Sequence, residues 1–153
     1  MKGVYVLIIE IPQEIIVDVG SMKNVVFSKG YWVYIGSAQG TTSTNLEHRL
    51  KRHFTTSKKI HWHIDYLLSD HVILQDAVWV TTDQPMECRV VQNLIQTNQF
   101  ELGPLGFGAS DCKSKCGAHL LKYSGTKSLI LQIDRIFKEL GLPPNTYNGK
   151  FRA

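Results

Sequence analysis

The stretch Gly3-Val4-Tyr5-Val6-Leu7-Ile8-Ile9-Glu10-Ile11 is apolar at almost every position, so both of its alternating faces are apolar. Such a run is typical of a central strand that is covered on both sides. Residues 31–37 predict a second strand. The two strands carry the tripeptides Gly3-Val4-Tyr5 and Tyr34-Ile35-Gly36, each with a tyrosine close to a glycine where a core would accept any apolar residue. We interpret the two tripeptides as halves of one site.

Turn signals divide the rest of the chain into short elements. Gly20 lies between two apolar runs and predicts a β-hairpin inserted over residues 14–28. Asn45 is a favourable N-cap and predicts a helix that ends near Phe54. The other predicted elements are strands over residues 71–80 and 119–123, helices over 83–98 and 129–140, and an irregular tail over 145–153. These elements predict a chain that contains both strands and helices.

The length of 153 residues predicts a single domain with its own core, in which residues from about 100 to 153 form a C-terminal extension. No apolar run reaches the roughly 20 residues that span a bilayer. Because Glu10 and Pro12 interrupt the first apolar run, it predicts a strand rather than a signal peptide. We therefore expect a cytoplasmic protein without membrane contact. The net charge of +4 is compatible with a polyanionic partner.

The helix predicted after Asn45 carries two polar residues beside its apolar stripe of Leu46, Leu50 and Phe54. Arg49 and His53 are four residues apart, so they lie one above the other on one edge of that stripe. The pair is a candidate for catalysis. The alternative is a surface arginine that extends to solvent and a half-buried core histidine.

Glu87 lies on a helix face where an ordinary charged surface residue is not expected. It lies in the first turn of its helix, close to the mean direction of the apolar side chains, which are Val90, Val91, Leu94 and Ile95. A carboxylate that faces a core is costly unless it is paired or binds a metal. The alternative is a first-turn glutamate that the helix dipole favours and that still reaches water.

Phosphodiester hydrolysis would use these residues together. A divalent ion on Glu87 would bind a phosphate oxygen, and the planar guanidinium of Arg49 would hold the scissile phosphate. A tyrosine would take the proton of the attacking water if nearby positive charge lowered its pKa. The sequence does not decide between Tyr5 and Tyr34 for this role.

This order of parts resembles the GIY-YIG nuclease superfamily, over roughly residues 1–98. The resemblance implies the α/β class, as an α+β sandwich in which helices flank a small, mainly antiparallel central sheet of about three strands. It also implies a metal ion (Mg²⁺ or Mn²⁺) on a glutamate, and DNA cleavage. The long separation of the motifs is similar to a subgroup found mostly in archaea and some bacteria, and we assign it to the inserted hairpin. The catalytic residues that the resemblance implies are Tyr5, Tyr34, Arg49, His53 and Glu87. His63 is added to them as a further contact, a role for which His61 and Asp65 are the alternatives.

Basic and polar residues near these positions are candidates for substrate binding, some in the loop that follows residue 105. The candidates are Lys51, Arg52, Lys58, Lys59, His61 and Ser110.

The cysteine pattern allows three interpretations. Cys112, Cys116 and His119 are close in sequence, and Cys88 could complete a structural zinc site of four N/S ligands. A Cys112–Cys116 disulfide is the second interpretation, chiefly for a protein from a hyperthermophile. The third is a set of buried thiols. An odd count of three cysteines argues against a secreted disulfide scaffold.

We therefore expect a metal-dependent DNA endonuclease, specific for a structure or a lesion as repair nucleases are, and acting as a monomer or homodimer. DNA is favoured over RNA as the partner. A non-catalytic nucleic-acid-binding module on the same fold is the alternative, although such a module needs no carboxylate at a phosphate. A zinc-stabilised interaction protein is the second alternative and depends on Cys112, Cys116 and His119.

Overall fold

The structure is a computed structural model and describes residues 1–40, 45–55, 59–108 and 116–149. In the described parts of the chain, eight strands and four helices follow one another. Their bounds are β1 (Gly3–Ile11), β2 (Ile15–Val19), β3 (Met22–Phe27), β4 (Gly30–Ala38), α1 (Leu46–His53), α2 (His63–Leu68), β5 (Ile73–Thr81), α3 (Glu87–Gln96), β6 (Phe100–Leu102), β7 (Leu120–Tyr123), α4 (Leu129–Glu139) and β8 (Asn145–Tyr147).

Six strands form the central sheet in the order β6-β7-β4-β1-β5-β8. Each neighbouring pair is antiparallel, and β1 lies inside the sheet between β4 and β5. The predicted α+β sandwich with an antiparallel sheet is confirmed. The sheet is wider than the three strands that the resemblance implies, because short strands extend both of its edges.

The register between β1 and β4 brings the two tripeptides together. Tyr5 lies opposite Gly36, and Leu7 lies opposite Tyr34. Because residues two apart share a face of a strand, Tyr5 and Tyr34 are diagonal neighbours on one face of the sheet. The hairpin predicted between the motifs is confirmed as β2 and β3, which pair with each other in a separate two-stranded sheet.

Helices cover both faces of the central sheet and produce two apolar clusters. Val4, Val6 and Ile8 of β1 face α3 and α4 in the first cluster. Tyr5 and Leu7 face α1, α2 and the hairpin in the second. The prediction that β1 is apolar on both faces because it is covered on both faces is therefore confirmed.

Two elements differ from the sequence prediction. α3 begins at Glu87, because Asp83 and Pro85 lie in an exposed segment before it. The tail predicted to be irregular contains β8, which pairs with β5 and buries Tyr147 against Phe54 with ring centroids 5.0 Å apart. One buried aromatic residue in a three-residue strand leaves no periodicity to detect. Over the described residues, we find no helix with the length and apolar character needed to cross a bilayer.

Candidate active site

The site begins where β1 and β4 lie side by side, at Tyr5 and Gly36. The Tyr5 ring lies across Gly36, and a Cβ atom on that glycine would be 2.5 Å from Tyr5 Cζ and 2.6 Å from the hydroxyl oxygen. Any side chain at position 36 would therefore displace the ring. This close approach explains why the second tripeptide ends in glycine.

His53 fixes the hydroxyl of Tyr5. The Tyr5 oxygen and His53 Nε2 are 2.7 Å apart, and both side chains are only 2% exposed. α1 positions His53, and Asn45 caps that helix by accepting a hydrogen bond from the His48 amide at 3.0 Å. The ring of Tyr34 packs edge-on against His53 at 6.2 Å. Tyr5, Tyr34 and His53 therefore form one buried cluster.

Arg49 lies one turn before His53 and reaches the end of β4. Its Nη1 donates a hydrogen bond to the Ser37 carbonyl oxygen, and its guanidinium lies 4.9 Å from the centre of the Trp62 ring. Nε is buried and has no hydrogen-bond partner among the described residues. The described part of the chain also contains no carboxylate that forms a salt bridge with Arg49. The guanidinium therefore retains capacity to bind an anion.

Glu87 approaches the same serine from the other face of the sheet. It is the first residue of α3, it is half-buried, and its Oε1 accepts a hydrogen bond from the Ser37 hydroxyl. Ser37 therefore binds Arg49 through its carbonyl and Glu87 through its hydroxyl. A cation and a carboxylate therefore contact the same residue at the end of β4.

Burial has the largest effect on the pKa values of both tyrosines. It raises the pKa of Tyr5 well above its usual value, and Tyr34 adds to the shift while the charge of Arg49 opposes it. Burial also raises the pKa of Tyr34 to about 12, again against the charge of Arg49. The condition that nearby positive charge lowers the pKa of a tyrosine is therefore not met, because desolvation of the phenolate outweighs one guanidinium.

The residues at Glu87 fit a hard divalent ion. Mg²⁺ is usually held by one or two carboxylates and completes its shell with water and substrate phosphate oxygens. The half-buried Glu87 carboxylate supplies one such ligand, and the Ser37 hydroxyl orients it as an outer hydrogen bond does in metal sites.

Arg52, a predicted substrate contact, is engaged within the protein. Its two terminal nitrogens donate to both carboxylate oxygens of Asp65 at 2.8 Å, and Nη2 also donates to the Lys59 carbonyl at 2.7 Å. Asp65 further accepts the amides of His61 and Trp62 at 2.9 Å. This network shapes the segment between α1 and α2 from inside.

His63, a predicted catalytic residue, contacts a different part of the structure. Its Nδ1 accepts a hydrogen bond from the Gly108 amide at 2.9 Å, and its ring packs against Phe107 at 5.6 Å. Phe107 in turn packs against Tyr34 at 6.4 Å. His63 therefore contacts the tyrosine cluster through Phe107, and it holds the backbone at Gly108.

The other predicted substrate contacts are exposed or undescribed. Lys51, Lys59 and His61 are exposed and lie on α1 or in the segment before α2. Lys58 and Ser110 lie outside the described residues.

A second cluster lies next to Glu87 along the chain. Cys88 and Cys116 form a disulfide, and His119 Nε2 is 3.6 Å from Cys88 Sγ. The Cys112–Cys116 pairing considered from the sequence is wrong, since Cys116 pairs with a residue of α3. Cys112 lies outside the described residues. Burial lowers the pKa of His119 although the charge of Glu87 opposes the shift.

Sequence reasoning missed Ser37 and Trp62. Trp62 lies between two guanidinium groups, 4.9 Å from that of Arg49 and 4.4 Å from that of Arg52. Ser37 had one available signal, because a polar residue follows Tyr34-Ile35-Gly36 within an otherwise apolar strand. Asp65, considered from the sequence as a further contact, forms an ion pair with Arg52 instead.

Comparison with protein families gave one match. The model of a domain of unknown function, DUF123, matches residues 4–142, a range that includes Tyr5, Tyr34, Arg49, His53 and Glu87. Neither the curated proteins nor the solved structures compared with this chain gave a match.

Proposed function

We propose that this chain, which belongs to the family of the domain of unknown function DUF123, is a metal-dependent endonuclease that hydrolyses phosphodiester bonds in DNA. The observation that carries the proposal is the arrangement around Ser37. Arg49 and Glu87 bind its two oxygens from opposite faces of the sheet, and Arg49 keeps a buried Nε with no hydrogen-bond partner among the described residues. Phosphoryl transfer needs a phosphate-binding cation beside a metal-binding carboxylate.

Arg49 would bind the scissile phosphate. A guanidinium presents its donors in a fixed planar fork that matches two phosphate oxygens. The hydrogen bond to the Ser37 carbonyl and the contact with Trp62 hold that fork in place before substrate arrives. Arg49 therefore needs little rearrangement to bind the phosphate.

Tyr5 and His53 would move the proton of the attacking water. Because its pKa is raised, Tyr5 is a neutral phenol at neutral pH and is not a base by itself. Its oxygen can accept the water proton as its own proton passes to His53 Nε2, 2.7 Å away. Tyr34, with a pKa of about 12, stays protonated and can donate a hydrogen bond to a phosphate oxygen.

Glu87 would hold the metal ion. A divalent ion there, Mg²⁺ or Mn²⁺, would supply charge neutralisation at the phosphate and at the leaving oxygen. The resemblance of Gly3-Val4-Tyr5 and Tyr34-Ile35-Gly36 to the GIY-YIG motifs supports the same assignment. We further propose a substrate that is defined by a structure or a lesion rather than by a long sequence.

A cleavage assay tests this proposal. Labelled plasmid and oligonucleotides that carry flaps, junctions or lesions are incubated with and without Mg²⁺ or Mn²⁺. We expect metal-dependent cleavage that falls by about 100-fold or more in Arg49→Ala and Glu87→Gln, the loss typical of removing a transition-state contact. Matched controls are Arg135→Ala and Glu101→Gln, which change exposed residues of α4 and β6.

Two outcomes would contradict the proposal. Cleavage that survives unchanged in both site variants would place the chemistry elsewhere. Binding to these substrates without cleavage under any metal condition would instead favour a nucleic-acid-binding module.

A further inference from the structure

We propose that, once the Cys88–Cys116 disulfide is reduced, the two cysteine thiolates and the His119 imidazole hold one zinc ion. This site is separate from the carboxylate of Glu87, and its test does not depend on nuclease activity. Cys88 Sγ, Cys116 Sγ and a ring nitrogen of His119 all lie within 4.8 Å of one another.

The distances match what zinc requires. Tetrahedral zinc has Zn–S bonds of about 2.3 Å and Zn–N bonds of about 2.0–2.1 Å, which puts neighbouring ligand atoms roughly 3.5–3.8 Å apart. His119 Nε2 and Cys88 Sγ are 3.6 Å apart. The two sulfur atoms must separate, and breaking the S–S bond allows them to do so.

The backbone already holds His119 in place for this role. Its amide donates to the Phe107 carbonyl at 2.9 Å, and its carbonyl accepts the Ile35 amide at 2.8 Å. The ring is 8% exposed and also makes a hydrogen bond with the Gly108 backbone. Metal-binding histidines usually have such an outer hydrogen bond, which fixes the direction of the coordinating nitrogen.

The ligand set selects the class of metal. Two thiolates and an imidazole suit a thiophilic ion such as zinc, whereas Mg²⁺ prefers oxygen ligands. These three ligands leave the fourth position of a tetrahedral site to water or to another ligand. Cys88 directly follows Glu87, so either the disulfide or the metal would link the first turn of α3 to the segment before β7.

Reduction of the Cys88–Cys116 disulfide requires a reductant, such as a dithiol. A dithiol gives two electrons and two protons to the S–S bond and becomes a disulfide itself, and Cys88 and Cys116 become thiols. Zinc then binds as both thiols release their protons.

Cobalt titration of the full chain tests the site. Metal-free protein is prepared in oxidised form and in a form reduced with a phosphine, which does not compete as a thiol ligand, and Co²⁺ is added to each. We expect the reduced protein to bind one Co²⁺ per chain with thiolate-to-cobalt absorption that added Zn²⁺ abolishes. The oxidised protein should show no such absorption.

Variants assign the ligands. Cys88→Ser and Cys116→Ser should remove the thiolate absorption, and His119→Ala should weaken binding by roughly tenfold or more. The controls, Cys112→Ser and His71→Ala, should keep it, and circular dichroism checks that each variant is folded. Equal binding by oxidised and reduced wild type, or no thiolate absorption after reduction, would overturn the proposal without any variant. Loss in Cys112→Ser with full binding in Cys88→Ser would overturn it as well.

Discussion

At the scale of single residues, Gly36 and Tyr5 depend on each other. A methyl group at position 36 would lie 2.5 Å from Tyr5 Cζ, so Gly36→Ala must push the ring away from His53. We expect a loss of about 1–3 kcal/mol in the free energy of unfolding, as for other overpacked cores. The rate of cleavage should fall as well, because the hydrogen bond between Tyr5 and His53 is disturbed. Urea unfolding and the plasmid assay measure the two effects.

A double-mutant cycle isolates this contact. With Tyr5→Ala in place, Gly36→Ala should cost much less stability, since the ring that it displaces is absent. Additive effects of the two changes would show that the cost of Gly36→Ala arises elsewhere in β4.

The Tyr5 hydroxyl can be removed without disturbing the ring. Tyr5→Phe keeps the aromatic packing on Gly36 but ends the 2.7 Å contact with His53 Nε2. We expect a cost of about 1–2 kcal/mol in stability and a fall in cleavage rate of roughly 10²–10⁴-fold, the usual range for a lost proton-transfer group. Tyr31→Phe is the matched control, because Tyr31 lies on β4 and is 40% exposed. Equal rates for the two variants would exclude Tyr5 from proton transfer.

Residue chemistry made part of this site predictable. Glu87 stood out because a carboxylate on an apolar helix face needs a reason, and the structure places it beside Arg49 through Ser37. The protonation of the tyrosines was not predictable in the same way. It depends on how deeply the folded chain buries Tyr5 and Tyr34, which no local pattern reveals.

At the scale of elements, the ion pair of Arg52 and Asp65 joins α1 to α2. Burial alone would raise the pKa of Asp65, but hydrogen bonds from Arg52 and from the amides of Trp62 and His61 lower it overall. A carboxyl group with a lowered pKa stabilises the fold fully above its unfolded pKa, and this contribution is lost as pH falls through the folded pKa. The stabilisation that the pair provides should therefore be lost as the pH falls, so the protein should become less stable in acid.

Arg52→Leu tests this link. The change leaves the Asp65 carboxylate buried without its cation, and we expect a loss of roughly 2–4 kcal/mol near neutral pH. Because Asp65 would then have a higher pKa, the decline in stability toward acid should become shallower or reverse. Thermal unfolding over a pH series measures both. Lys51→Leu, an exposed neighbour on α1, should change neither, and an equal effect of the two variants would contradict the role of the pair.

The elements that sequence predicted well are those with their own periodic signal. β1 and the hairpin have continuous or alternating apolar residues bounded by turns, and both appear as predicted. β8 has no such signal, because it exists only by pairing with β5 and by the packing of Tyr147 on Phe54. Short edge strands are set by their neighbours rather than by their own sequence.

At the scale of the whole molecule, the site forms where two layers meet at the end of β4. Arg49 arrives with α1 from one face of the sheet, and Glu87 arrives with α3 from the other. The sequence indicated each residue separately. That Ser37 joins them follows from the six-stranded arrangement, which depends on long-range pairing and was outside the reach of local patterns.

We predict that nucleic acid binds the surface at α1, the helix that carries Arg49. Lys51 and Lys59 are exposed on the side of α1, whereas Lys127 and Lys138 lie at the start of and on α4, which covers the other face. If DNA contacts the α1 side, Lys51→Ala with Lys59→Ala should weaken binding and reduce the slope of log K against log salt concentration by up to about 2, near 0.9 per lost phosphate contact. Fluorescence anisotropy with wild type and both double variants, in the presence of a chelator to prevent cleavage, measures the slopes. Lys127→Ala with Lys138→Ala should keep the wild-type slope, and a larger reduction in that control would place the DNA on the α4 side.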